Sequence, residues 1–151
     1  MNKMNRKIEY ALMSLKFMSR KRPGELTSVK EICSETGCPF DATSRVMQQM
    51  TSSGILRSEQ GAHGGYQIIK DLSKVSMRDL METFLGPMAV VKCLKSSICD
   101  LEDGCNIKSP VAELNSRMAQ FYEELSVLEI LSPGNAPDQQ AETSTSLEPH
   151  A

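Results

Sequence analysis

Cysteines stand at 93, 99 and 105 in the stretch KCLKSSICDLEDGCNIKSP, with five residues between each pair and no histidine nearby. Thiolates suit soft or borderline metals, which leaves zinc and an iron–sulfur cluster as the leading candidates. Structural zinc sites usually pair their ligands across roughly two to four residues and use a full tetrahedral set of Cys or His. This segment spaces its thiols more widely and offers only three. A wide loop can wrap around a cluster, and Ser96, Ser97 and Gly104 leave its backbone free to turn and to donate N–H bonds to sulfides. Zinc, or three free redox-active thiols, remain the alternatives. Cys33 and Cys38 read instead as small packing residues.

With 151 residues the chain suits one domain with a modest core, or a small domain with an appendage. Arg6, Lys7 and Glu9 interrupt the N-terminal stretch before any apolar run, and no later segment is long enough to span a bilayer, so a cytoplasmic protein without a membrane partner is expected. Five cysteines in a reducing compartment argue against a disulfide framework. The net charge of −2 conceals a division: residues 1–78 hold 13 Lys and Arg against 7 Asp and Glu, while residues 79–151 hold 4 against 12. A basic first half points to a polyanionic partner.

The elements that must position these residues follow from periodicity. Ile8, Ala11, Leu12, Leu15 and Met18 form one face of an amphipathic helix. Ser28 with Glu31 makes a capping box for a second helix carrying Val29, Ile32 and Cys33, which Gly37 ends. Pro39 then opens a third helix, read with Pro39 as its first residue and running to Gly54. Two short helices joined by a tight turn make a helix-turn-helix, and the strand signals GILRSE and YQII around QGAHGG add a β-hairpin wing. Ser76 with Asp79 caps a fourth helix through Leu80, Met81 and Phe84, closed by Gly86 and Pro87.

From Ser109 and Pro110 a single long helix is expected to run to residue 131, with Val111, Leu114, Met118, Phe121, Leu125 and Leu128 as a heptad seam. That seam predicts a symmetric homodimer. The remainder is poor in apolar residues and rich in Pro, Ser, Thr and acid, so residues 132–151 are expected to be a disordered tail.

The fold class expected is therefore mainly α with a small β-hairpin wing: a winged helix-turn-helix DNA-binding domain over 1–86, a cysteine loop over 87–108 and a dimerisation helix over 109–131. In such a fold the second helix of the motif enters the major groove, where exposed residues of its first turns reach base edges. Asp41, Ala42, Ser44 and Arg45 are those residues, with Thr43, Val46, Met47 and Met50 facing inward. Arg45 alone can make a bidentate contact with guanine. Arg57, Gln60 and His63 on or beside the wing are candidates for the minor groove or backbone, and Arg6, Lys7, Arg20 and Lys30 for phosphates.

Taken together, YALMSL in the first helix, the wing GAHGGYQI and the loop with two five-residue gaps between cysteines resemble the winged-helix iron–sulfur transcription regulators of the IscR and NsrR type, the Rrf2 family. The resemblance covers roughly residues 5–130. It implies ligation of a [2Fe–2S] or [4Fe–4S] cluster by Cys93, Cys99 and Cys105, and dimerisation through the helix from Ser109. It also implies a repressor that binds a partly palindromic double-stranded operator under control of nitric oxide, iron, redox or cluster status. IscR-like members carry a histidine three residues after the last cysteine, where this chain has Lys108, and many members have a wing arginine where it has Gln60. Similarity to the nitric oxide sensors points to Glu9 of the partner subunit's first helix as the fourth ligand, with the loop carboxylates of Asp100 and Asp103 as the alternatives.

An enzyme is not expected. No closely spaced Cys pair adjoins a βαβ pattern, no Ser-His-Asp or paired-carboxylate arrangement stands out, and both histidines fall in a turn and the tail. A small thiol oxidoreductase is the disfavoured rival, and a cluster-free winged-helix regulator with redox-active or zinc-binding cysteines the nearer one.

Overall fold

The computed structural model describes residues 4–94 and 99–132. Helix α1 (Arg6–Ser19) is capped by Asn5, whose side chain accepts from the Lys7 N–H. It buries Ile8, Ala11, Leu15 and Met18, the face its periodicity predicts. Helix α2 (Val29–Thr36) starts on Ser28, whose hydroxyl accepts from Glu31 N, and ends at Gly37 in the left-handed conformation with φ +74°. The return half of the expected capping box is replaced: the Glu31 carboxylate is taken by the Lys21 ammonium. Helix α3 (Phe40–Ser52) begins one residue later than the sequence suggests, with Pro39 as its extended N-cap and Phe40 as its first helical residue. Thr43, Val46, Met47 and Met50 are its buried face.

Strands β1 (Leu56–Glu59) and β2 (Gly65–Ile68) pair antiparallel, from Leu56 opposite Ile68 to Glu59 opposite Gly65. Near its turn, this hairpin is pinned through β2 to the segment entering α2, because Tyr66 N donates to Thr27 O at 2.8 Å and Thr27 N to Tyr66 O at 2.9 Å. The approach is so close that a Cβ on Gly65 would lie 2.8 Å from Thr27 O, and one on Gly64 would lie 2.3 Å from Glu59 O. Glycine is required at both positions by space. The wing is thereby fixed relative to the helix-turn-helix.

Helix α4 (Met77–Leu85) carries the complete capping box expected of Ser76 and Asp79 and ends at Gly86. Helix α5 (Lys108–Glu124) has no buried residue. Here the structure corrects the sequence reading: the single helix expected over 109–131 breaks. Leu125 is extended (φ −92°, ψ 110°), and Ser126 caps a separate helix α6 (Val127–Leu131) through a second capping box with Glu129. Hydrogen bonds from the Ser126 hydroxyl and backbone N–H hold the Glu129 carboxyl below its usual range.

The break is compensated by long-range backbone bonds. Met77 N donates to Leu125 O at 2.7 Å and Val127 N to Val75 O at 2.8 Å, a short antiparallel bridge between Ser76 and Ser126. Val127 and Leu131 then enter the same hydrophobic core as Ile8, Leu15, Ile32, Met47, Leu56 and Leu80. The winged-helix domain expected over 1–86 therefore shares its core with a helix some forty residues beyond that boundary. The tail from Pro133 onward, and Ser96 and Ser97, lie outside the described residues.

Candidate nucleic-acid interface and metal centre

With its apolar face spent on the core, α3 presents the opposite face outward. Asp41 and Arg45 are exposed, and Ala42 and Ser44 are half-buried. Because α1 packs directly on α3, its first turn delivers Arg6 and Lys7 to the same place. A shallow cleft is lined by Arg6, Lys7, Tyr10, Asp41, Ala42, Arg45, Gln48 and Gln49, among others. Three cations with one carboxylate beside amide side chains match a polyanion whose base edges carry donors and acceptors. Arg6 is also paired with Glu9, Nη1 to Oε2 at 2.8 Å. In solvent such a pair is worth little and yields readily to a phosphate.

The wing residues are distributed differently. Arg57 lies across the hairpin, donating to Gln67 Oε1 at 3.0 Å and Glu59 Oε1 at 3.3 Å. Gln60 and His63 are exposed on the turn, Arg20 is exposed just past α1, and Lys30 is exposed on α2. None of these lines the cleft with Arg45.

Of the residues not singled out from the sequence, Tyr10, Gln48 and Gln49 line this cleft, and Phe40 stands exposed outside it. Gln48 and Gln49 continue the outward face of α3 by one turn, which helical spacing alone could have found. Phe40 is 56 % exposed at the start of α3. A phenylalanine reads as core by composition, and only the position of the N-cap shows that it stands outside.

The cysteine loop is tied at its N-terminal end to the helices on either side of it. Met88 N donates to Glu82 Oε1 of α4 at 3.2 Å, and Val90 N donates to Asn115 Oδ1 of α5 at 3.0 Å. Beyond these, Cys93 is exposed in a single 3-10 turn (Lys92–Leu94), and Cys99 and Cys105 are half-buried. All three are free thiols, and none is packed away as Cys38 is. Their donor chemistry and accessibility fit a thiolate-held iron–sulfur cluster. They are not pre-assembled: among the described residues no group of three or more His, Cys, Asp or Glu side chains is gathered to hold a metal ion, and Glu9 lies on α1 paired with Arg6.

Of the expected dimer seam, Leu114 and Phe121 are 51 % and 60 % exposed, and Val111 and Met118 are half-buried. Leu125 instead packs partly against the core, at the break, and Leu128 lies on α6. Leu114 and Phe121 thus form an exposed apolar edge on α5, with Val111 and Met118 partly covered beside it.

A helix-turn-helix with a pinned wing and a basic recognition cleft defines a winged-helix DNA-binding protein. The family model described as Rrf2, iron-dependent transcriptional regulator, matches residues 4–133, and the chain belongs to this family. It is a DNA-binding transcriptional regulator rather than an enzyme. An Rrf2-like HTH-type transcriptional regulator of Rhodobacter capsulatus is 28 % identical over 139 residues, spanning 85 % of this chain and 92 % of that protein. Among solved structures, CymR, the global cysteine regulator of B. subtilis, superposes with a TM-score of 0.68 at 17 % identity, over 87 % of this chain and 97 % of that one. IscR of T. potens gives a TM-score of 0.65 at 16 % identity over 86 % of each chain. These two likenesses show the fold. No helix among the described residues is long and apolar enough to cross a membrane.

Proposed function

We propose that the protein is a homodimeric repressor whose operator affinity is set by an iron–sulfur cluster on Cys93, Cys99 and Cys105, with Glu9 of the partner subunit as fourth ligand. The observation that carries this reading is the placement of three accessible thiols in a loop fastened to α4 by Glu82 and to α5 by Asn115. The cluster, when bound, supplies a redox-active centre whose carboxylate corner exchanges most readily with incoming ligands.

The chain's own residues do the rest. Gathering Cys93, Cys99 and Cys105 pulls on the start of the loop, which Glu82 of α4 and Asn115 of α5 both hold, and so on the angle between α4 and α5. The exposed face of α5, with Leu114, Met118 and Phe121, meets the same face of a second copy. Since the start of α4 is bonded to the end of α5 at Ser76 and Ser126, a change in that angle is transmitted to the core that carries α3. The distance between two recognition helices, and with it the fit to a palindromic operator, follows.

A second reading, a cluster-free regulator with redox-active or zinc-binding cysteines, is favoured by the separation of the three thiols in the free chain. Anaerobic reconstitution decides between them. A brown protein containing iron and sulfide, with charge-transfer absorbance lost in a variant with all three cysteines replaced by serine, supports the cluster. A colourless, iron-free sample leaves the second reading standing.

A further inference from the structure

The recognition helix begins with an apolar side chain in water. Phe40 is the first residue of α3 and is 56 % exposed, although four other positions of the same helix are buried in the core. Cys38, two residues earlier, is buried with its Sγ 3.7 Å from Met13 Sδ, so the chain passes from core to solvent between these two positions. Phe40 shares one flank of α3 with Ser44 a turn later, beside the outward pair Asp41 and Arg45.

In the major groove every base edge offers hydrogen-bonding atoms, and the one apolar group presented is the 5-methyl of thymine. A phenyl ring on the leading end of a groove-entering helix has that methyl as its matched partner. We infer that Phe40 is a specificity-determining residue that reads a thymine 5-methyl group in each half-site. This rests on the winged-helix DNA-binding reading and deepens it. Phe40 and Arg45 are five residues apart, about 7.5 Å along the helix axis. At about 3.6 residues per turn the two side chains stand roughly 140° apart around the axis, so they address different base pairs of the half-site.

The test begins with the operator that the full-length, anaerobically purified protein selects from random duplex DNA. Each thymine of a half-site is then replaced singly by deoxyuridine, which deletes the methyl and keeps the pairing. At one thymine the wild-type protein loses affinity about four-fold, the factor corresponding to one buried methyl of about 0.8 kcal/mol at about 1.4 kcal/mol per tenfold. Phe40→Ala binds thymine and deoxyuridine duplexes equally there, while Phe40→Leu keeps part of the difference. Unchanged thermal unfolding of both variants, expected for an exposed side chain, separates this from misfolding. Selection of an operator with no deoxyuridine-sensitive thymine, or the same discrimination in Phe40→Ala, overturns the role of Phe40 and leaves the regulator intact. Failure to select any operator overturns both.

Discussion

Truncating Val127 to alanine tests whether the end of the chain belongs to the DNA-binding core. Val127 is 0 % exposed and sits in the cluster with Leu15, Met47 and Leu80. The substitution removes two methyl groups at about 0.8 kcal/mol each, and the remaining cavity brings the loss to roughly 1.5–2.5 kcal/mol. Its backbone bond to Val75 is untouched, so the effect is one of packing. Ile130 on the same short helix is 38 % exposed, and Ile130→Ala should cost less than about 1 kcal/mol. Urea unfolding at one fixed protomer concentration measures both, with an unchanged slope showing that the folded and unfolded states are comparable. On a continuous helix with the heptad seam, Val127 would face away from the seam and its loss would be minor. A cost below about 0.5 kcal/mol for Val127→Ala would refute the break at Ser126 and the docking of α6.

Arg45→Ala should weaken operator binding by about 1–3 kcal/mol in a mobility-shift titration while leaving the dimer intact, and an unchanged sequence preference would remove Arg45 from base readout. Replacing Leu114, Met118 or Phe121 by glutamate should give monomers in sedimentation that bind DNA poorly; surviving dimers would place the interface elsewhere. Glu9→Ala, compared with Asp100→Ala and Asp103→Ala, should alone change the spectrum and lifetime of a reconstituted cluster. A change confined to the aspartate variants would move the fourth ligand into the loop.

Most of the winged-helix half was legible because its signals are local. The three- and four-residue steps from Ile8 to Met18, the left-handed Gly37 and the Ser76–Asp79 box each act within one helix, and the structure places them as their chemistry requires. The end of the long helix was not. Leu125 and Leu128 extend the seam spacing straight through the break, and the box formed by Ser126 and Glu129 is hidden inside that rhythm. What decides the matter is the backbone of Val75 and Met77, some fifty residues earlier, a contact that no local pattern encodes. Phe40 was missed for the converse reason: its hydrophobicity suggests burial, and its position one residue past Pro39 places it in solvent. For the loop, spacing identifies Cys93, Cys99 and Cys105 as a set. In the structure the three are not gathered into one site, and local spacing carries no signal for what would bring them together.

The most direct test of the account is the operator affinity of one dimeric preparation measured anaerobically with the cluster in place and again after its removal by chelation, with hydrodynamics recorded in both states. Tying Cys93, Cys99 and Cys105 to the angle between α4 and α5 predicts a dimer in both states and an affinity that changes by about tenfold or more, equivalent to about 1.4 kcal/mol of coupling. Identical affinities in the two states would contradict it.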